Sequence, residues 1–255
     1  IYCSPVYPWV PDLLRHRISI VLPAALVLLG PVAGQAQSDG APDWRLAAAF
    51  YPYQHRVDND TDLTLTLSGN LPGRFSYFSF TNLNGLTSSD SISLTRSEQN
   101  LRMSLVDALP LDLNLQLVLQ KGDGNDFYQG GISWRVNDTP GLRDFFERLN
   151  FVWRMTVHAK RWNVDNATAD AWSIEHGFRL TVPQWTDRVY LSGFYEKTYG
   201  EDRPAGTAQR PLVSEVQLGA RLWKALYVVA EYRVNEFRVG DEHNLAVGIE
   251  YQASW

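Results

Sequence analysis

The chain has 255 residues and a mass of 28.9 kDa, enough for one large domain or two small ones. Mean hydropathy is −0.25, and the one long apolar run, residues 18–29, is shorter than the roughly 20 residues of a spanning helix, which excludes a helical membrane protein. A net charge of −5, with no Lys/Arg run and no zinc-ligand spacing, argues against a nucleic-acid partner.

Residues 1–36 read as an upstream segment followed by a cleaved signal peptide. Arg15, His16 and Arg17 form a basic start, residues 18–29 an apolar centre, and Gly34, Gln35 and Ala36 a small-residue exit, so cleavage is expected after Ala36. Residues 1–14 contain no Met and look like extra upstream sequence. Cys3 is the single cysteine and lies ahead of that site. The exported part is therefore expected to hold no disulfide, no thiolate metal site and no lipid-bearing cysteine. Residues 37–43 are expected as a short periplasmic segment, and residues 44–255 as the folded domain.

From Trp44 onward apolar and polar residues alternate with period two, which places unlike side chains on the two faces of a strand. Leu111, Leu113, Leu115, Leu117 and Leu119 interleave with Asp112, Asn114, Gln116, Val118 and Gln120. A helix would scatter those leucines around its circumference. The same alternation predicts about twelve strands, over 44–56, 61–69, 73–82, 90–107, 110–121, 126–136, 150–162, 169–183, 186–198, 210–222, 225–238 and 242–255. Ile92 and Leu94 fall out of phase with Leu101, Met103 and Leu105, so a bulge or loop is expected near 96–100. Leu142, Phe145, Phe146 and Leu149 recur at helical spacing after Asp138, Thr139 and Pro140, predicting a short periplasmic helix over 140–149 at the barrel mouth.

Short or proline-containing connections (70–73, 108–110, 183–187, 223–224) alternate with polar ones, as in an up-and-down barrel whose termini are both periplasmic. The fold class read from the sequence is thus all-β: a transmembrane antiparallel β-barrel in the bacterial outer membrane. Trp44, Trp134, Trp153, Trp185, Trp223 and Trp255 fall near the expected periplasmic ends. Tyr51, Tyr53, Tyr128, Trp162, Trp172, Tyr195 and Tyr232 fall toward the other rim, giving two aromatic girdles. Gly248, Tyr251 and Trp255 on the last strand look like the insertion signal of such barrels, which implies the barrel-assembly machinery as a partner. Outer-membrane lipid and lipopolysaccharide are the expected surroundings.

The polar partners of the lipid-facing residues must face inward. Arg135, Arg154, His158, Glu175, Arg179, Glu196, Glu215, Arg221, Tyr227, Glu231, Arg233 and Glu250 are the candidate pore-lining and binding residues, with Arg102 and Lys160 on the same reading. So many charges require water in the lumen or a network of pairs across it. Tyr227, Phe127 and Phe194 are expected to stack on a flat solute. No phosphate loop, paired-carboxylate signature or His-cluster motif appears, so neither cofactor, metal nor catalytic residues are expected.

Several stretches, FSYFSF at 75–80, FYQGGISWRV at 127–136, LTVPQWTDRVYLSGFYE at 180–196, VSEVQ at 213–217 and AVGIEY before Trp255, together resemble the nucleoside-specific channel (Tsx-like) family of outer-membrane barrels. The resemblance implies twelve strands and a narrow channel for nucleosides or similar small solutes. It does not match that family's binding residues one by one. The expected function is passive diffusion of small polar solutes. Two alternatives stay open: a lipid hydrolase (phospholipase or lipopolysaccharide deacylase) using outward His176 with a serine such as Ser214, and a structural or receptor barrel without a pore.

Overall fold

The computed structural model describes residues 44–54, 62–86, 92–106, 108–121, 126–164, 171–201, 203, 206–238, 240 and 242–255. The expected signal peptide and the 37–43 segment lie outside them. Twelve strands follow in chain order: β1 (Trp44–Gln54), β2 (Leu63–Asn70), β3 (Phe75–Asn84), β4 (Ser93–Ser104), β5 (Leu111–Gln120), β6 (Phe127–Arg135), β7 (Phe151–Asn163), β8 (Trp172–Leu180), β9 (Val189–Tyr199), β10 (Leu212–Trp223), β11 (Leu226–Asn235) and β12 (His243–Ser254). Each pairs antiparallel with its sequence neighbours, and β1 pairs with β12, so the sheet closes on itself. We call the rim that carries Trp44 and Ser254 the near rim, and the opposite one the far rim.

The barrel is built inside out. Leu113, Leu115 and Leu117 are 46%, 53% and 37% exposed on the outer wall, whereas the intervening Asn114 and Gln116 are 1% exposed. Among the buried residues polar and charged side chains outnumber apolar ones. In water this arrangement would leave a broad apolar band wet, a cost that hydrocarbon outside removes. Ring pairs mark the far rim, with Tyr128 stacked on Trp162 at 5.3 Å and Trp172 on Tyr199 at 4.4 Å. At the near rim Trp44 and Trp255 exchange backbone hydrogen bonds of 3.1 Å and fasten the seam.

Four irregularities interrupt the register among the described residues, one at Leu222 beside the β10–β11 turn and three within the walls. The first of these three lies between Phe50 and Tyr53: Tyr51 keeps the inward phase of Arg45, Ala47 and Ala49, so it is not part of the far aromatic girdle as expected, and the bulge carries Tyr53 to the outer face. The second sits at Thr95, where Asn82 pairs with Arg96 and Leu83 with Leu94, just before the expected 96–100. The third lies at Ala159, where Gly131 pairs with His158 but Gly130 with Lys160. It turns Lys160 outward and Arg161 inward, a correction to the inward placing of Lys160.

The 136–150 connection holds a 3-10 turn at Val136–Asp138 and a helix, α1 (Arg143–Leu149). The helix starts later than expected because Gly141 sits at φ 85°, outside the helical region. It packs against the outer wall rather than across the mouth: buried Phe146 meets Phe151 at 5.3 Å and Trp153 at 6.3 Å.

Candidate functional site

The inward side chains form two layers. In the middle of the barrel opposite walls touch. β3 and β9 lie six strands apart in the ring of twelve, yet Phe80 and Phe194 meet edge to face at 5.8 Å. Asn82 of β3 donates to Glu215 of β10 at 3.4 Å, and Arg96 of β4 lies 3.8 Å from Glu196 of β9. Glu196 is the hub of this layer. It accepts from Ser173 at 2.6 Å and Gln129 at 3.3 Å, and Arg161 stands 3.8 Å away.

A second knot shares the same level. Gln116 Nε2 donates to Glu98 at 3.3 Å and to Glu175 at 3.2 Å, and His158 Nε2 lies 3.0 Å from Glu175. Arg96 binds Glu98 through its Nε at 2.7 Å. Toward the far rim Arg161 caps the Phe127 ring at 4.0 Å and pairs with Glu201 at 3.4 Å, so residues just beyond β9 reach back over the lumen. Phe127 is thereby buried under a guanidinium rather than open to a solute.

Below this layer, toward the near rim, the lumen widens into a cavity of about 670 Å³. Its cations are Arg45, Arg102, Arg154, Arg179 and Lys224, and its rings include Phe78, Phe80, Phe194 and Tyr227. The carboxylates on its wall are held by donors. Tyr51 donates to Glu231 at 2.5 Å while accepting from Gln217 at 2.7 Å, and Arg233 also bonds Glu231. The Tyr190 hydroxyl lies between Gln217 Oε1 at 2.7 Å and the Glu250 carboxylate. Arg179 sits 3.8 Å above the Tyr190 ring. Asp112, 2% exposed, bonds both Arg135 and Arg154.

All twelve residues singled out from the sequence thus lie on inward positions, but they do different things. Arg154, Glu175, Arg179, Glu215, Tyr227, Glu231 and Glu250 border the cavity. His158, Glu196 and Arg233 are sealed inside the network and 0%, 4% and 6% exposed. Arg135 and Arg221 stand at the near rim in ion pairs with Asp138 at 2.8 Å and Asp187 at 2.5 Å. The Arg221 guanidinium, hydrogen-bonded to Asp187, holds that exposed carboxyl below its ordinary pKa. Sequence reasoning missed Arg45, Lys224, Phe78, Phe80 and the Arg96–Glu98 pair. Phe78 and Phe80 were hidden because Phe75 and Tyr77 give the other face of β3 an equal claim to be apolar.

No family model and no curated protein matches the chain. Similar folds occur among solved structures. A KdgM porin aligns at a TM-score of 0.43 and 11% identity over 82% of this chain and 98% of that one. An outer membrane channel from Pseudomonas putida F1 aligns at 0.41 and 12% over 86% and 100%. OccK11 of Pseudomonas aeruginosa aligns at 0.35 and 12% over 86% and 68%.

The outer wall bears on the hydrolase alternative. His176, Tyr195 and Ser214 occupy one row across β8, β9 and β10, because Tyr195 pairs with both of the others. Two strand spacings, roughly 10 Å, separate His176 from Ser214, whereas a nucleophile and its base need hydrogen-bond contact. The His176 ring stacks on Tyr195 at 4.5 Å, and its Nδ1 accepts from Trp153 Nε1 at 3.2 Å. His176 is spent as part of an aromatic ladder.

Proposed function

We propose that this chain is a bacterial outer-membrane channel for passive diffusion of small polar solutes, narrowed by a charged constriction halfway through. The observation that carries the reading is the lumen itself. A cavity of about 670 Å³ ringed by arginines and carboxylates meets a layer in which opposite walls touch through side chains alone, Phe80 on Phe194 and polar ones such as Asn82, Arg96, Glu196 and Glu215. Long polar side chains exchange partners with water and solute at little cost, unlike an apolar plug. Flat polar molecules such as nucleosides are the finer proposal, because Phe80, Phe194 and Tyr227 offer ring faces along the cavity. The apolar outer band would face lipid, with lipopolysaccharide beyond the far rim. Gly248, Tyr251 and Trp255 would be read by the assembly machinery during insertion.

The test is single-channel recording in planar bilayers. Small, ohmic conductance steps are expected, with nucleosides added to one side reducing the current. Silence in the bilayer together with esterase activity on phospholipid or lipopolysaccharide would overturn the reading.

A further inference from the structure

The cavity wall holds a cation that the fold leaves uncommitted. Arg102 points inward from β4, near its end at Ser104, and is 8% exposed. Its guanidinium lies 5.4 Å from the centre of the Phe78 ring. Among the described residues it makes no ion pair and donates no hydrogen bond, and its buried Nε has no partner.

The surrounding carboxylates explain why. Asp112 on the next strand is taken by Arg135 and Arg154 together. Glu98, further along β4, is held by Arg96 and Gln116, and Glu175 by His158 and Gln116. Glu215 stands on the opposite wall, bonded to Asn82. A buried guanidinium without a counter-ion is costly, so a fold that keeps one at a cavity wall has left a place for an anion. Arg154 and Arg179 border the same cavity, whose carboxylates, Glu98, Glu175, Glu215, Glu231 and Glu250, each already accept from another side chain.

We propose that Arg102 anchors a subsite for small organic carboxylates with a flat apolar body. The carboxylate would receive two parallel N–H donors from the guanidinium fork. The body would lie along Phe78 and Phe80, which line the cavity beside it. The proposal rests on the channel reading for how the solute enters, and not for how it binds.

The test uses the detergent-purified full chain, with 4-fluorobenzoate and its uncharged counterpart 4-fluorobenzamide observed by fluorine NMR. Saturable binding of the benzoate is expected, at least about ten-fold tighter than the amide. Arg102→Gln should abolish that preference and Arg102→Lys restore part of it. Arg143→Gln on α1 should leave it intact, with folding of each variant checked by heat-modifiable migration. Equal binding of the two probes by the unaltered chain would overturn the subsite without reliance on any variant, as would a folded Arg102→Gln that keeps the preference. Binding is read without a bilayer. A chain that prefers benzoate but conducts nothing would sink the channel and leave the subsite standing, and conduction without preference would do the reverse.

Discussion

At Tyr51 one hydroxyl joins three strands. It sits on β1, donates to Glu231 of β11 and accepts from Gln217 of β10, at 1% exposure. Tyr51→Phe strands a carboxylate oxygen and an amide where water is scarce, and should cost about 1–3 kcal/mol of unfolding free energy. Urea titration of the folded barrel in lipid vesicles checks this, and an unmoved midpoint would show that water replaces the hydroxyl. Period-two reading reaches its limit at single residues beside a bulge, where Lys160 and Arg161 exchanged faces. A bulge shows in the sequence only where apolar residues on both sides reveal a phase change, as Ile92 and Leu94 did before Thr95, and the polar run around Ala159 reveals none. Where no bulge intervenes, as at Arg154, Glu175, Glu215 and Glu231, parity alone placed the side chain inward.

At the scale of elements the seam between β1 and β12 is the critical join, because its two strands are the most distant in the chain. Gly248 lies there opposite the β1 bulge, and a Cβ on it would stand 2.0 Å from the Phe50 carbonyl oxygen and 3.0 Å from the Tyr51 Cα. Backbone cannot yield as a flexible side chain can. Gly248→Ala should therefore lower the temperature at which the folded band converts to the unfolded one on electrophoresis, and slow insertion into vesicles. Unchanged behaviour would mean that the seam opens to admit a methyl group. The twelve strands were legible because each repeats its alternation over many residues, as β5 does with five leucines. The outer face of β3 and β4 was not. Gln99 donates to Ser97 at 2.7 Å, Thr81 lies 2.9 Å from Ser97, and Tyr77 bonds Gln99, so polar groups there satisfy one another on a wall otherwise apolar. The helix was legible as a helix from Phe145, Phe146 and Leu149. Its seat outside the barrel depends on Phe151 and Trp153, whose direction only the closed sheet fixes.

At the scale of the molecule, charge is sorted along the barrel axis. Arg45, Arg102, Arg135, Arg154, Arg179, Arg221 and Lys224 all stand near the rim that carries the termini, where Asp112, Asp138 and Asp187 pair with Arg135, Arg154 and Arg221. The layer above is knotted by carboxylates, and Glu196 of β9 gathers partners from β4, β6, β7 and β8. Removing that hub need not strand its arginines, since Arg96 keeps Glu98 and Arg161 keeps Glu201. Glu196→Ala should accordingly leave the barrel folded while releasing Arg96 from the opposite wall and Arg161 from one of its two carboxylates. Single-channel conductance should rise several-fold, with a shift of the reversal potential toward anions in a salt gradient. A folded Glu196→Ala barrel with unaltered conductance would place the resistance elsewhere, at the far rim where Glu201 and Arg203 lie over the lumen.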